Sequence, residues 1–165
     1  MIIYKDIVTG DELFSDAYPM KELHGIAFEV EGKYITGQSE TFDIGANPSA
    51  EEASETYNDV GASGINIVLY HRLVEVYIDK PYFKDHLKSS TKKIVDMLTE
   101  TNKDRVEPFK ASAVILVKEL IKRFKELRFF VGESNEIGTF MILDHREDQT
   151  PFFIVLKDGL EMVKC

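Results

Sequence analysis

Apolar residues recur at threes and fours over one long stretch of this chain, and elsewhere they alternate or cluster in short runs. The periodic stretch is strongest at Val106, Phe109, Ala113, Leu116, Val117, Leu120, Phe124 and Leu127, which predicts a helix of about six turns with one buried stripe. Phe83, Leu87, Ile94 and Leu98 mark a similar stripe upstream. Both helices have start signals. Asp79-Lys80-Pro81 places a capping acid before a proline in the first turn, where the missing N–H costs nothing. Asp104 is followed three residues later by Glu107, the spacing of a capping box, with Pro108 beside it. The link at Thr101-Asn102-Lys103 is short enough to make the two helices antiparallel neighbours. At 1.5 Å per residue each would run about 33 Å. Residues 80–128 therefore read as a long helical hairpin.

The flanking regions read as strands. Residues 1–37 contain Ile2-Ile3-Tyr4 and the run Gly25 to Val30, in which Ile26, Phe28 and Val30 alternate with Ala27 and Glu29 as on a strand with one buried face. Glu31-Gly32-Lys33 reads as a hairpin turn into Tyr34-Ile35. Residues 64–78 read as one long strand, bent near His71-Arg72. Phe129 to Val131, Thr139 to Leu143 and Phe152 to Leu156 are three further strands, with turns at Glu133 to Glu136 and Asp148 to Pro151, and Lys157-Asp158-Gly159 closing the last. Residues 38–63 hold few large apolar side chains and cannot offset their ordering entropy, so they read as a mobile acidic loop, with an anchored piece at Phe42 to Gly45. Strands, a helical hairpin and strands again predict an α+β fold with an antiparallel or mixed sheet, as a single domain over 1–165.

Charge divides along the same boundaries. Residues 38–63 carry six acids and no Lys or Arg, whereas residues 80–128 carry thirteen bases against seven acids. The two segments cancel, so the formal −9 of the whole chain sits on the remainder. Such a distribution suits a protein that meets its partners through its field. The acidic balance argues against nucleic acid as the main ligand, since phosphate binding needs a large positive field. No apolar run is long enough to span a membrane. The N-terminal residues show no basic region followed by an apolar stretch, so the expectation is a cytoplasmic protein without a signal peptide. Cys165 is the one cysteine and the last residue. It rules out an internal disulfide or a CxxC zinc site and leaves an oxidation-dependent homodimer as its one disulfide option. Neither a G-x-S-x-G elbow nor a phosphate-binding glycine loop is present, and His24, His71, His86 and His145 show no metal-ligand spacing. Covalent or metal catalysis is not expected.

Five segments in order resemble the translationally controlled tumour protein family. They are the opening Met1 to Asp6 with Asp11-Glu12-Leu13-Phe14-Ser15-Asp16, then Ile44-Gly45-Ala46-Asn47-Pro48-Ser49-Ala50-Glu51, then Phe129-Phe130-Val131-Gly132-Glu133-Ser134, then Met141 to Asp148, and the close from Lys157 to Cys165. The resemblance implies a tent-like β-structure carrying a projecting helical hairpin, a fold shared with a zinc-containing chaperone of Rab GTPases. That chaperone holds zinc through paired CxxC motifs, which this chain lacks, so no metal of that kind carries over. The resemblance further implies guanine-nucleotide exchange on Rheb-type small GTPases, calcium binding, microtubule association and binding of anti-apoptotic Bcl-2 relatives, and also release from cells without a signal peptide.

Residue by residue, the resemblance attaches GTPase action to Glu12. A carboxylate there can promote exchange by competing for the Mg²⁺ or the P-loop lysine that holds the nucleotide phosphates; a solvated turn acid is the plainer reading. Lys80, Lys84, Lys88 and Lys92 stand at strict fours, with Lys93 beside them. On a helix they form one basic face, either simply solvated or a landing surface for acidic partners such as tubulin tails. Glu40, Asp43, Glu51, Glu52 and Glu55 lack the spacing of an EF-hand, so at most they bind calcium weakly, and no cofactor is required. The apolar face with Phe109, Leu116, Leu120 and Phe124 reads as core rather than binding groove. Set beside these features, the resemblance implies a regulatory interaction protein whose leading activity is binding of Rheb-type GTPases, with promotion of nucleotide exchange as an option left open. The alternative is a non-catalytic binding module or chaperone for tubulin and Bcl-2-type proteins.

Overall fold

The strand Pro151–Leu156 is buried at every position but its last, because it lies in the middle of a sheet covered on both faces. The computed structural model describes residues 1–36 and 63–165. Its elements are β1 (Ile2–Asp6), β2 (Glu12–Ser15), β3 (Met20–Leu23), β4 (Ala27–Glu31), β5 (Tyr34–Ile35), β6 (Gly64–Ile65), α1 (Asn66–His71), β7 (Val74–Val76), α2 (Lys80–Thr101), α3 (Val106–Lys122), β8 (Arg128–Val131), β9 (Met141–His145), β10 (Pro151–Leu156) and β11 (Leu160–Lys164). Six strands form one sheet in the order β3-β4-β10-β9-β8-β7, and β11-β1-β2 form a second. All pairings are antiparallel.

Side chains of the large sheet alternate between two cores, as the pleat requires. Phe129, Val131, Ile142, Phe152 and Ile154 meet the helices, packing with Phe83, Leu87, Leu116 and Leu120. Phe130, Met141, Leu143, Phe153 and Val155 meet the small sheet through Tyr4, Leu13 and Phe14, where the rings of Tyr4 and Phe14 stack at 4.6 Å. The result is an α+β arrangement of helical hairpin, six-stranded sheet and three-stranded sheet, as expected. Where both faces are buried the sequence shows an unbroken apolar run rather than alternation.

The hairpin largely follows its pattern. Asp79 caps α2, its Oδ1 accepting from the Tyr82 N–H at 2.9 Å, and Phe83, Leu87, Ile94 and Leu98 are its buried residues. The capping box at Asp104 does not form. Residues Lys103–Arg105 make a 3₁₀ turn, α3 begins at Val106 without a side-chain cap, and Arg105 reaches across to hold both carboxylate oxygens of Asp158 at 2.9 Å. Helix α3 also stops at Lys122, five residues short of the predicted end, so it spans about 26 Å. Arg123 then turns inward onto the buried carboxylate of Asp144, at 2.9 and 2.7 Å, and a 3₁₀ turn places Phe124 against Phe83 and Phe129.

Three strand expectations are corrected. Residues 64–78 are not one strand: β6 gives way to α1, which ends at His71 and is capped by Arg72 in the left-handed region (φ 55), before β7 begins. The Asn66 Oδ1 accepts from the N–H groups of Ile67 and Lys33, and Ile67 fills the second core, so tertiary contacts override β-propensity there. Gly32 makes no hairpin turn. A side chain on it would meet the Asn66 Oδ1 at 2.9 Å, and β5 pairs with β6, away from β4. Finally, Ile26 belongs to the helix-side core and is parted from Phe28 and Val30, which face the other.

Candidate functional site

Asp11 and Glu12 stand at the start of β2, where two of the sequence segments singled out above meet. The backbone of Gly132 closes on Asp11 so tightly that an added Cβ would lie 2.3 Å from the Asp11 Cβ. The Asp11 Oδ2 accepts from the Ser134 hydroxyl. Glu12, next along, has a side chain 46% exposed, with its Oε2 2.8 Å from the His71 Nδ1. His71 is the last residue of α1 and its own side chain is almost buried. On its other edge, the His71 Nε2 lies 2.9 Å from the Tyr18 hydroxyl, with the two rings edge to face.

A neutral imidazole satisfies all three groups when Nδ1–H donates to Glu12 and Nε2 accepts from Tyr18 O–H. Burial, then the charges of Tyr70 and Glu12, push the Tyr18 phenol up to about 12, so it remains a donor. The chain Tyr18–His71–Glu12 therefore orients one carboxylate outward. Around it stand Tyr70, exposed beside His71, and Arg72, whose guanidinium meets the Glu133 carboxylate at 3.1 Å. Tyrosine and arginine are residue types enriched where proteins meet partners, whereas acids are depleted there, so the oriented Glu12 adds a directed charge rather than contact area.

The expected sites are distributed unevenly. Lys80, Lys84, Lys88, Lys92 and Lys93 are all exposed on α2, and none has an ion-pair partner among the described residues. They ride on the helices that cover one face of the large sheet, whereas Glu12 borders the layer covering the other. Glu40, Asp43, Glu51, Glu52 and Glu55 lie outside the described residues, as does the Phe42 to Gly45 piece. Among the described residues no group of three or more His, Cys, Asp or Glu side chains gathers as a metal site would need. Each histidine has a partner instead: His24 with Glu119, His71 with Glu12, His145 with Tyr34, and His86 with the carbonyl of Gly138 at 2.8 Å. Burial is the main cause that lowers the His86 pKa, so that ring donates to the carbonyl as the neutral form. Cys165 is exposed with a free thiol, and its backbone N–H pairs with the carbonyl of Met1. One cysteine has no disulfide partner within the chain.

The residues that sequence reasoning missed are His71, Tyr18, Tyr70, Arg72 and Glu133. His71 is 59 positions from Glu12 and 53 from Tyr18, and no local pattern joins them. Only Gly132 carried a signal, as a glycine between a strand and a turn.

A family model described as translationally controlled tumour protein matches residues 1–161. The chain is 46% identical over 171 residues to the translationally-controlled tumor protein homolog of Danio rerio and 42% identical over 172 residues to that of Drosophila melanogaster, in each case covering all of both chains. Among solved structures it resembles the translationally controlled tumor-associated protein of Schizosaccharomyces pombe, with a TM-score of 0.80 at 38% identity and full coverage of both chains. The Caenorhabditis elegans translationally-controlled tumor protein gives 0.71 at 35% identity, over 100% of this chain and 99% of that one. No helix among the described residues is long and apolar enough to cross a membrane. The chain belongs to the translationally controlled tumour protein family.

Proposed function

We propose that this chain is a regulatory binding protein whose Glu12 face engages a Rheb-type small GTPase in the cytoplasm and promotes nucleotide exchange. The observation that supports this reading is the orientation of Glu12. Its carboxylate is half exposed, and its direction is set by His71, which Tyr18 holds from behind. A pre-oriented acid can compete with the nucleotide for Mg²⁺ or for the P-loop lysine without first losing side-chain entropy. No covalent step is involved.

Fluorescent-nucleotide release from a Rheb-type GTPase tests the proposal, with the protein at about one-twentieth of the GTPase as a catalyst permits. Wild type accelerates release, and Glu12→Val abolishes the acceleration with unchanged circular dichroism, while costing about 0.5–1.5 kcal/mol of stability from the lost hydrogen bond to His71. Saturable binding without acceleration would leave a non-catalytic binding module, which is the rival reading. No binding at all would remove the GTPase reading.

A second reading concerns α2. Five exposed lysines without ion-pair partners among the described residues favour an acidic partner such as a tubulin tail. Lys84→Glu with Lys88→Glu should weaken co-sedimentation with microtubules at low salt, and unaltered co-sedimentation would sink it. Bcl-2-type partners and a weak calcium site on Glu40, Asp43, Glu51, Glu52 and Glu55 rest on the family resemblance alone. Calorimetry showing no heat at millimolar calcium would reject the latter.

A further inference from the structure

The solvent side of the hairpin carries a groove of about 550 Å³ between α2 and α3. Its construction follows from helical ridges four residues apart. The inner ridges are mainly apolar: Phe109, Ala113 and Val117 on α3 face Val95 on α2, with Thr91 beside it turning its hydroxyl back onto the Leu87 carbonyl at 2.8 Å. Phe109 and Ala113 are buried, and the small Ala113 gives the groove its depth. The outer ridges are basic: Lys88 and Lys92 flank it on α2, while Lys118 and Lys110, the latter 4.0 Å from the exposed Glu107 carboxylate, flank it on α3. Val114, between Lys110 and Lys118, is 54% exposed. No Asp or Glu lines the groove.

We propose that this groove docks an acidic amphipathic helix of a partner protein. An apolar seam flanked on both sides by like charge is half of a helix–helix interface, in which charged flanking positions choose the partner. The missing half presents apolar residues at i, i+3, i+4 and i+7, with carboxylates on each shoulder. Lys110 and Lys118 lie eight residues apart, about 12 Å along α3, room for two turns of such a helix. A single anionic head group would use one rim and leave the other bare; a helix with acids on both shoulders uses both. The proposal deepens the acidic-partner reading of α2 and takes from it only the sign of the partner's charge.

The test uses the full chain and a fluorescein-labelled designed helix of about 15 residues, with leucines at the heptad seam and glutamates on both shoulders. Its comparators are a scrambled peptide of the same composition and an oligoglutamate of the same charge. Fluorescence anisotropy at low salt should show saturable binding of the designed helix about tenfold tighter than of either comparator. Val114→Glu alone, and Lys92→Glu with Lys118→Glu, should each weaken it about tenfold or more, with unchanged circular dichroism and melting.

Equal binding of all three peptides, still sensitive to the lysines, would overturn the groove and leave the acidic-partner reading standing. Absence of binding by every peptide would overturn both. Indifference to Val114→Glu would overturn the proposal, as would sedimentation showing copies of the chain joined through this face. Flotation with phosphatidylserine vesicles in place of peptide binding would likewise replace the helix with a membrane surface.

Discussion

A carboxylate on a strand at the edge of a sheet usually rotates freely in water. Glu12 does not, because His71 meets it at 2.8 Å and Tyr18 supports the ring from behind. That support depends on Tyr18 staying protonated. Its pKa rises from 10.0 to about 12, chiefly through burial. A group whose folded value lies above its unfolded value contributes stability in full below the unfolded pKa, and loses it as pH rises through the folded one. Wild-type stability should therefore fall between about pH 10 and pH 12 through this group. Tyr18→Phe should flatten that fall, while costing about 0.5–1.5 kcal/mol at pH 8 from the lost hydrogen bond. Absorbance at 295 nm should lose its tyrosine step near pH 12 in the variant, and urea denaturation at both pH values gives the stabilities. An unchanged step would place the high-pH tyrosine elsewhere. Glu12 was legible from its segment, but its two supports were not. They come from α1 and the β2–β3 turn, which only the folded chain brings together.

Elements with the helical period were the most legible, since one buried stripe every 3.6 residues leaves a long and redundant mark. Their ends were less so. Asp79 and Asp104 look alike as starts in sequence, yet only Asp79 caps a helix. Asp79→Ala should cost about 1 kcal/mol, whereas Asp104→Ala should stay within about 0.5 kcal/mol as an ordinary surface change. Urea midpoints of the two variants decide this, and a comparable loss in Asp104→Ala would mean that the capping box forms in solution. Short strands left the faintest marks. Strands β2, β3 and β11 were not anticipated, because four or five residues carry little periodic information and pairing partners lie far away, as with Ile2 opposite Lys164. The misreading of 64–78 has a different origin. Ile65, Ile67, Val68 and Tyr70 favour strands, but the Asn66 side chain and the burial of Ile67 impose a turn of helix.

At the scale of the molecule, the large sheet separates two cores that share no side chains, since neighbouring strand residues point to opposite faces. Ile142 belongs to the helix-side core and Ile67 to the other, and both are buried. Each shortened to valine should cost about 0.5–1.5 kcal/mol. With no common neighbours the two losses should add to within about 0.5 kcal/mol. Local independence does not imply separate unfolding. Strand β10 contributes Phe152 and Ile154 to one core and Phe153 and Val155 to the other, so neither layer can leave without exposing the strand between them. Denaturation of both single variants and the double variant should remain one transition, with an unchanged urea slope, by fluorescence and by circular dichroism alike. Two separated transitions in the double variant would show that the hairpin and the small sheet unfold independently. A single transition would mean that the Glu12 face and the lysine-rimmed groove, although on opposite sides, rest on one cooperative unit.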